Sequence, residues 1–205
     1  MIAVVDYGMG NLRSVHHALD MVGADVRVTN RPEDLRSAER IVLPGVGAFG
    51  ECVQNLCASG LVEALEAEVL QEGKPFFGIC VGMQVLARVG YEMGVHQGLS
   101  WVPAVVRRFK VEEEGLKVPH VGWNEVIPQR ETPLFKGLRQ NSTFYFVHSY
   151  HLVLDDPGMV IAACDYGGLF TSAILRDNIF ACQFHPEKSQ RNGLRLLENF
   201  LAWKP

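Results

Sequence analysis

Cys80 stands between two glycines in Gly78-Ile79-Cys80-Val81-Gly82, where an apolar run (residues 75–79) meets a helical pattern (81 to about 89). A nucleophile at a strand-to-helix junction occupies a sharp, strained turn, and bulky side chains two residues away on either side would collide. Glycine at both positions is the pattern of the G-x-S-x-G elbow, with sulfur here in place of oxygen. The helix that follows aims N–H groups and the positive end of its dipole at the sulfur. That should lower the thiol pKa from its free value of about 8.5 and populate the thiolate. The Val81 N–H is placed to donate to a developing oxyanion. A cysteine nucleophile also needs a histidine to take its proton and return one to the leaving amine, and a third group to hold the imidazole tautomer. Toward the other end, Phe180-Ala181-Cys182-Gln183-Phe184 reads as a strand with His185-Pro186-Glu187 at its carboxyl edge, where parallel α/β sheets place their chemistry. The proline stiffens the spacing so that the Glu187 carboxylate can return to His185. Cys80, His185 and Glu187 are the expected catalytic residues.

Other reactive residue types read more plainly. A free cysteine is most often a small buried hydrophobe; that suits Cys164 and Cys182 inside apolar strands, and Cys52 and Cys57 on an expected helix. His148, in Phe146-Val147-His148-Ser149-Tyr150-His151, is the rival base, but its strand context favours a structural or substrate-side role. His16 and His17 are adjacent on a helix and face different directions, and His120 lacks a partner at ligand spacing, so no metal is expected. Gly8 and Gly10 lack the third glycine of G-x-G-x-x-G, so no dinucleotide or other cofactor is expected either. The run Arg107-Arg108-Phe109-Lys110, followed by Glu112-Glu113-Glu114, reads as a solvated hairpin and not as a phosphate site.

These groups need a scaffold. The first half alternates apolar runs with helical patterns: strands at 2–6, 25–29, 41–43 (stopped by Pro44 and Gly45) and 75–79, with helices at 12–21, 61–70 and 81–89. That alternation predicts a parallel sheet covered by helices on both faces. After Gly90 come strand-like segments at 101–109, 144–154, 160–164 and 179–184 without long helices between them, then a last helix at 192–203. The expected fold is α/β, a parallel-core mixed sheet with helices on both faces and an antiparallel extension, in a single domain over 1–205. The 205 residues suffice for a sizeable core, and a net charge of −4 disfavours a nucleic-acid role. The opening apolar run ends at Val5 with no basic lead-in, unlike a signal peptide, and no run approaches the ~20 apolar residues of a membrane span. Five cysteines, with no C-x-x-C spacing, suit a reducing compartment. The expected location is the cytoplasm.

With these pieces placed, the chain resembles the class I glutamine amidotransferases from end to end. The shared elements are Asp6–Asn11 (DYGMGN), Leu43–Gly50 (LPGVGAFG), Gly78–Gln84 (GICVGMQ), Val118–Val126 (VPHVGWNEV), Tyr145–Tyr150 (YFVHSY) and Gln183–Ser189 (QFHPEKS). Within that family, DYGMGN and PHVGWN are similar to the branch serving imidazole glycerol phosphate synthase in histidine biosynthesis. The resemblance implies that L-glutamine is hydrolysed through a thioester, with ammonia passing to a (β/α)8-barrel synthase/cyclase subunit in a heterodimer. It implies that Val46 and Gly47 join Val81 in an oxyanion hole. Gln84, Glu92, His148, Ser149 and Tyr150 would hold glutamine, although VGYEMGVHQG departs from the glutamate- and proline-rich run common around Glu92. Asn11, Trp123, Tyr145 and Lys188 would face the partner, Trp123 from a turn-like segment. The same catalytic motifs would serve a paralogous glutaminase feeding another synthase, as in surface-sugar amidation. An inactive scaffold would be expected to have lost one of the three catalytic groups, and all three are present.

Overall fold

The computed structural model describes residues 1–111 and 113–205. The first half runs β1 (Ile2–Val5), α1 (Leu12–Met21), β2 (Val26–Thr29), α2 (Pro32–Ser37), β3 (Arg40–Gly45), α3 (Phe49–Ala58), α4 (Val62–Leu65), β4 (Phe76–Cys80) and α5 (Val81–Gln84). The short strands β5 (Val89–Gly90) and β6 (His96–Gln97) follow, then β7 (Ala104–Arg108), β8 (His120–Glu125) and β9 (Ile127–Pro128). The chain closes with β10 (Thr143–His148), β11 (Tyr150–Leu154), β12 (Val160–Asp165), β13 (Leu169–Arg176), β14 (Ile179–Cys182) and α6 (Gln190–Ala202). The main sheet has the order β2-β1-β3-β4-β14-β13-β12-β9. Pairing is parallel from β2 through β14 and antiparallel beyond it. The parallel core and the antiparallel extension expected from the sequence are both present.

The central strands are apolar because both faces are covered: every residue of β1, β4 and β14 is buried. α1 buries Val15, Ala18 and Leu19 at helical spacing, and α6 buries Gly193, Leu196, Leu197 and Phe200. Phe77 of β4 stacks on Phe180 of β14 at 4.5 Å between ring centroids and meets Phe200 of α6 at 5.2 Å.

Three expectations are corrected. β3 does not stop at Leu43; Pro44 and Gly45 pair with Ile79 and Cys80. Its pairing with β1 ends at Val42, so no strand on that side requires the N–H that proline lacks. The helix after Cys80 is one turn instead of more than two. The carbonyls of Val85, Leu86, Ala87 and Arg88 accept from Leu99, Val102, Ser100 and Gly98, so a neighbouring segment takes the acceptors a longer helix would use. Trp123 lies mid-strand in β8, paired with Tyr145 of β10, and not in a turn. In 61–70 the helical pattern is realised as α4 followed by a π-helical stretch, Glu66–Gln71. The charged run begins inside β7, where Arg107 sets its guanidinium 5.6 Å from the centre of the Tyr91 ring; Glu112 lies outside the described residues.

Candidate active site

β4 delivers Cys80 at its last position with φ 54° and ψ −111°, a left-handed strain that a side chain tolerates only when its surroundings enforce it. They do so by close approach. A Cβ on Gly82 would lie 1.9 Å from the Leu43 carbonyl oxygen, and one on Gly78 would lie 2.7 Å from that of Gly82. Both glycines of the elbow are therefore steric necessities. The α5 turn starts at once from Cys80, leaving the Val81 N–H at the head of a helix.

β14 delivers the histidine. His185 N–H donates to the Tyr145 carbonyl at 2.9 Å, the Ser189 hydroxyl donates to the His185 carbonyl at 2.6 Å, and Tyr145 N–H donates to that hydroxyl at 3.0 Å. α6 presses on the same turn at Gly193, where a Cβ would lie 1.8 Å from the Pro186 oxygen. His185 Nδ1 and Glu187 Oε1 are 2.8 Å apart, both side chains being 2% exposed. Nε2 of His185 has no hydrogen-bond partner and is the nitrogen left for the sulfur. Burial pulls the imidazole pKa down, but the Cys80 sulfur and the Glu187 carboxylate push it up more strongly, to about 10. The raised pKa keeps the proton on the ring, in place beside the sulfur.

A cavity of about 570 Å³ opens on these groups. It is lined by Asn11, Val46, Gly47, Cys80, Val81, Gln84, Glu92, His148, Ser149, Tyr150, His185 and Lys188. Glu187 stands behind His185, outside the lining. Trp123 and Tyr145 lie on the neighbouring face, ring edge to face at 5.9 Å, with the Lys188 ammonium 5.6 Å from the Tyr145 ring centre. The Val46 carbonyl accepts from the Cys52 thiol at 3.3 Å; the planar trans peptide turns the Gly47 N–H the opposite way. Glu92 Oε2 accepts from Phe49 N–H at the start of α3 at 2.7 Å.

Sequence reasoning missed Gln183. Its Nε2 approaches Cys80 Sγ at 3.6 Å and its Oε1 accepts from Gln84 Nε2 at 2.9 Å. Its partners lie 99 and 103 residues away along the chain, so no local spacing marks it. Gln84 donates its other N–H to the Tyr150 carbonyl at 2.9 Å, so Oε1 is what it offers a ligand. Tyr7 was also missed; its buried hydroxyl lies against Gly45, 2.8 Å from where a Cβ would stand. Among the described residues no histidine, cysteine or carboxylate group of three is arranged to hold a metal, and no helix is long and apolar enough to cross a membrane.

The site thus sets a strained thiol at a strand–helix elbow of a mixed α/β sheet beside a buried histidine–glutamate pair. The model of the glutamine amidotransferase class-I family matches residues 3–203, and the chain belongs to that family. It is 50% identical to the imidazole glycerol phosphate synthase subunit HisH of Syntrophotalea carbinolica, over 98% of each chain. It is 49% identical to the HisH subunit of Geobacter sulfurreducens, over 97% of each. Among solved structures, PurLQS from Thermotoga maritima shares the fold with a TM-score of 0.75 at 20% identity, covering 98% of this chain and 97% of that one. A glutamine amidotransferase crystal structure does so with a TM-score of 0.69 at 21% identity, covering 98% of each chain.

Proposed function

We propose that the chain, a single glutaminase domain, hydrolyses the side-chain amide of L-glutamine and delivers the ammonia to a synthase/cyclase subunit that forms imidazole glycerol phosphate in histidine biosynthesis. The observation that carries the chemistry is the pair His185 Nδ1–Glu187 Oε1 at 2.8 Å, with Nε2 left free beside the Cys80 elbow. Near-full-length identity of about one half to HisH subunits supports the choice of substrate and pathway. In this reading the Cys80 thiolate adds to the amide carbonyl, and the oxyanion takes N–H bonds from Val81 and from the Val46-Gly47 loop. His185 then protonates the departing ammonia, leaving a thioester, and afterwards draws a proton from the water that releases glutamate. Gln84 Oε1 and the free oxygen of Glu92 suit the substrate's ammonium, with the Ser149 and Tyr150 backbone beside it.

The partner is assigned as a (β/α)8-barrel subunit in a heterodimer, docking on Asn11, Trp123, Tyr145 and Lys188. Ammonia release from glutamine by the chain alone and with saturating partner and its substrate tests the whole reading. The Gly47 φ of 96° and the flanking Gly45 allow the loop peptide two orientations, and a missing oxyanion donor costs about a hundredfold or more. The expected result is therefore a low rate alone and a rate at least roughly a hundredfold higher in the complex. No glutamate even with partner sinks the function, and equal rates sink the switch. Trp123 is 48% exposed on β8, edge to face with Tyr145. Trp123→Ala should weaken association by about 2 kcal/mol or more without moving the melting temperature. Unchanged affinity by titration calorimetry would remove Trp123 from the interface.

A further inference from the structure

Two buried histidines outside the proposed catalytic trio touch each other. β8 and β10 pair His120 with His148 directly across the ladder. His148 Nδ1 lies 2.8 Å from the Tyr150 carbonyl, which can only accept, so Nδ1 carries the proton. His148 Nε2 is then an acceptor, and His120 Nδ1 donates to it at 3.1 Å. His120 Nε2 is left to accept from Asn124 Nδ2 at 3.3 Å; the same amide also donates to the Asp165 carbonyl at 2.9 Å. Every donor in this line finds an acceptor only if both rings are neutral and both carry the proton on Nδ1. Burial enforces neutrality, taking His148 down to about 3 and His120 down to about 4.

The line ends on the Tyr150 carbonyl, the same oxygen that accepts from Gln84, whose amide continues through Gln183 to the Cys80 sulfur. One backbone oxygen thus joins β8, which bears Trp123, to the lining of the cavity. We propose that His120, His148 and Asn124 are positioning residues of the glutamine site: they fix the Tyr150 carbonyl, and through it Gln84, where the substrate's amino-acid end is held. The proposal rests on the glutaminase reading above. It assigns the two histidines a directional task that a space-filling aromatic ring cannot perform.

The test uses His120→Phe and His120→Asn in the complex with saturating synthase. Phenylalanine keeps the ring between Phe146 and Tyr166, which stack on His120 at 4.8 and 4.0 Å, but removes both hydrogen bonds. Asparagine gives up the ring and places an amide nitrogen where Nδ1 stood. The glutamine KM of His120→Phe should rise about tenfold with kcat within about twofold, the pattern of lost ground-state positioning. His120→Asn should bring KM back to within about threefold of wild type. An unchanged KM in His120→Phe, a loss confined to kcat, or equal impairment of the two variants overturns the proposal. Should His120→Phe not fold, imidazole 15N spectra of the wild-type chain at pH 7 decide. Both rings protonated on Nδ1 alone is the expected result, and a proton on Nε2 of either ring overturns it. Wild-type turnover of glutamine is measured alongside. Its absence counts against the glutaminase reading, while the spectra still judge the hydrogen-bond line.

Discussion

Cys80→Ala is expected to lower glutamine-dependent synthesis by the complex roughly ten-thousand-fold or more, while synthesis from added ammonia continues at close to the wild-type rate. Alanine removes the sulfur that interacts with His185 and leaves the rest of the cavity, the proposed docking face and the synthase intact. It also carries a Cβ like that of cysteine, so the strained φ of 54° is no more costly than before and the fold should hold. The measurement is paired rates with glutamine and with ammonium as nitrogen source. Retention of a substantial fraction of glutamine turnover would show that Cys80 is not the nucleophile. Loss of the ammonium-dependent rate as well would show that the substitution had damaged the assembly instead.

The second large effect separates His185 from Glu187. In the proposed mechanism His185 moves protons in both half-reactions, so His185→Ala should be nearly as damaging as Cys80→Ala. In the same mechanism Glu187 only orients the ring and supports its charge, so Glu187→Gln should retain turnover about ten- to a hundredfold above His185→Ala. Single-turnover acylation is the clean readout, and the reverse order would overturn these roles. The same pair predicts a pH signature. The folded pKa of His185 is raised from 6.5 to about 10, so the native state holds this proton more tightly than the unfolded chain does. The associated stability is fully present below about pH 6.5 and is lost as pH rises toward 10. Glu187→Gln removes part of what raises the imidazole, so its stability should decline less over that window in denaturant titrations. An identical alkaline decline in both proteins would separate Glu187 from the titration.

What the sequence made visible follows from the range over which each cause acts. β1, α1 and β4 were recoverable because burial on both faces or on one stripe writes itself into local residue order. The elbow was recoverable because its sterics require glycine at fixed offsets. The short α5 was not, since residues 98–102 take the carbonyls of 85–88, and no local pattern announces that competition. Trp123 looked like a turn residue because of Gly122, yet that glycine sits in β8 with φ 133°. His120, His148 and Gln183 matter through partners far along the chain, and spacing alone cannot display that. His120 was set aside for want of a ligand partner in sequence; its partner is a second histidine on the next strand of the ladder.

β14 is the final strand of the chain, yet it occupies the middle of the main sheet, between β4 and β13. Until it seats, β4 and β13 each expose an unpaired edge, the kind of surface that invites wrong pairing. Residues 179–182 must therefore be made before β4 can pair on this side, and such long-range closure is slow. The order of synthesis also separates the reactive parts in time: the thiol is made early, and the imidazole and carboxylate arrive together near the end, at the carboxyl edge of the strand that fills the gap. A product cut short before residue 185 would lack the imidazole and carboxylate proposed to activate the thiol, and is expected to hydrolyse no glutamine.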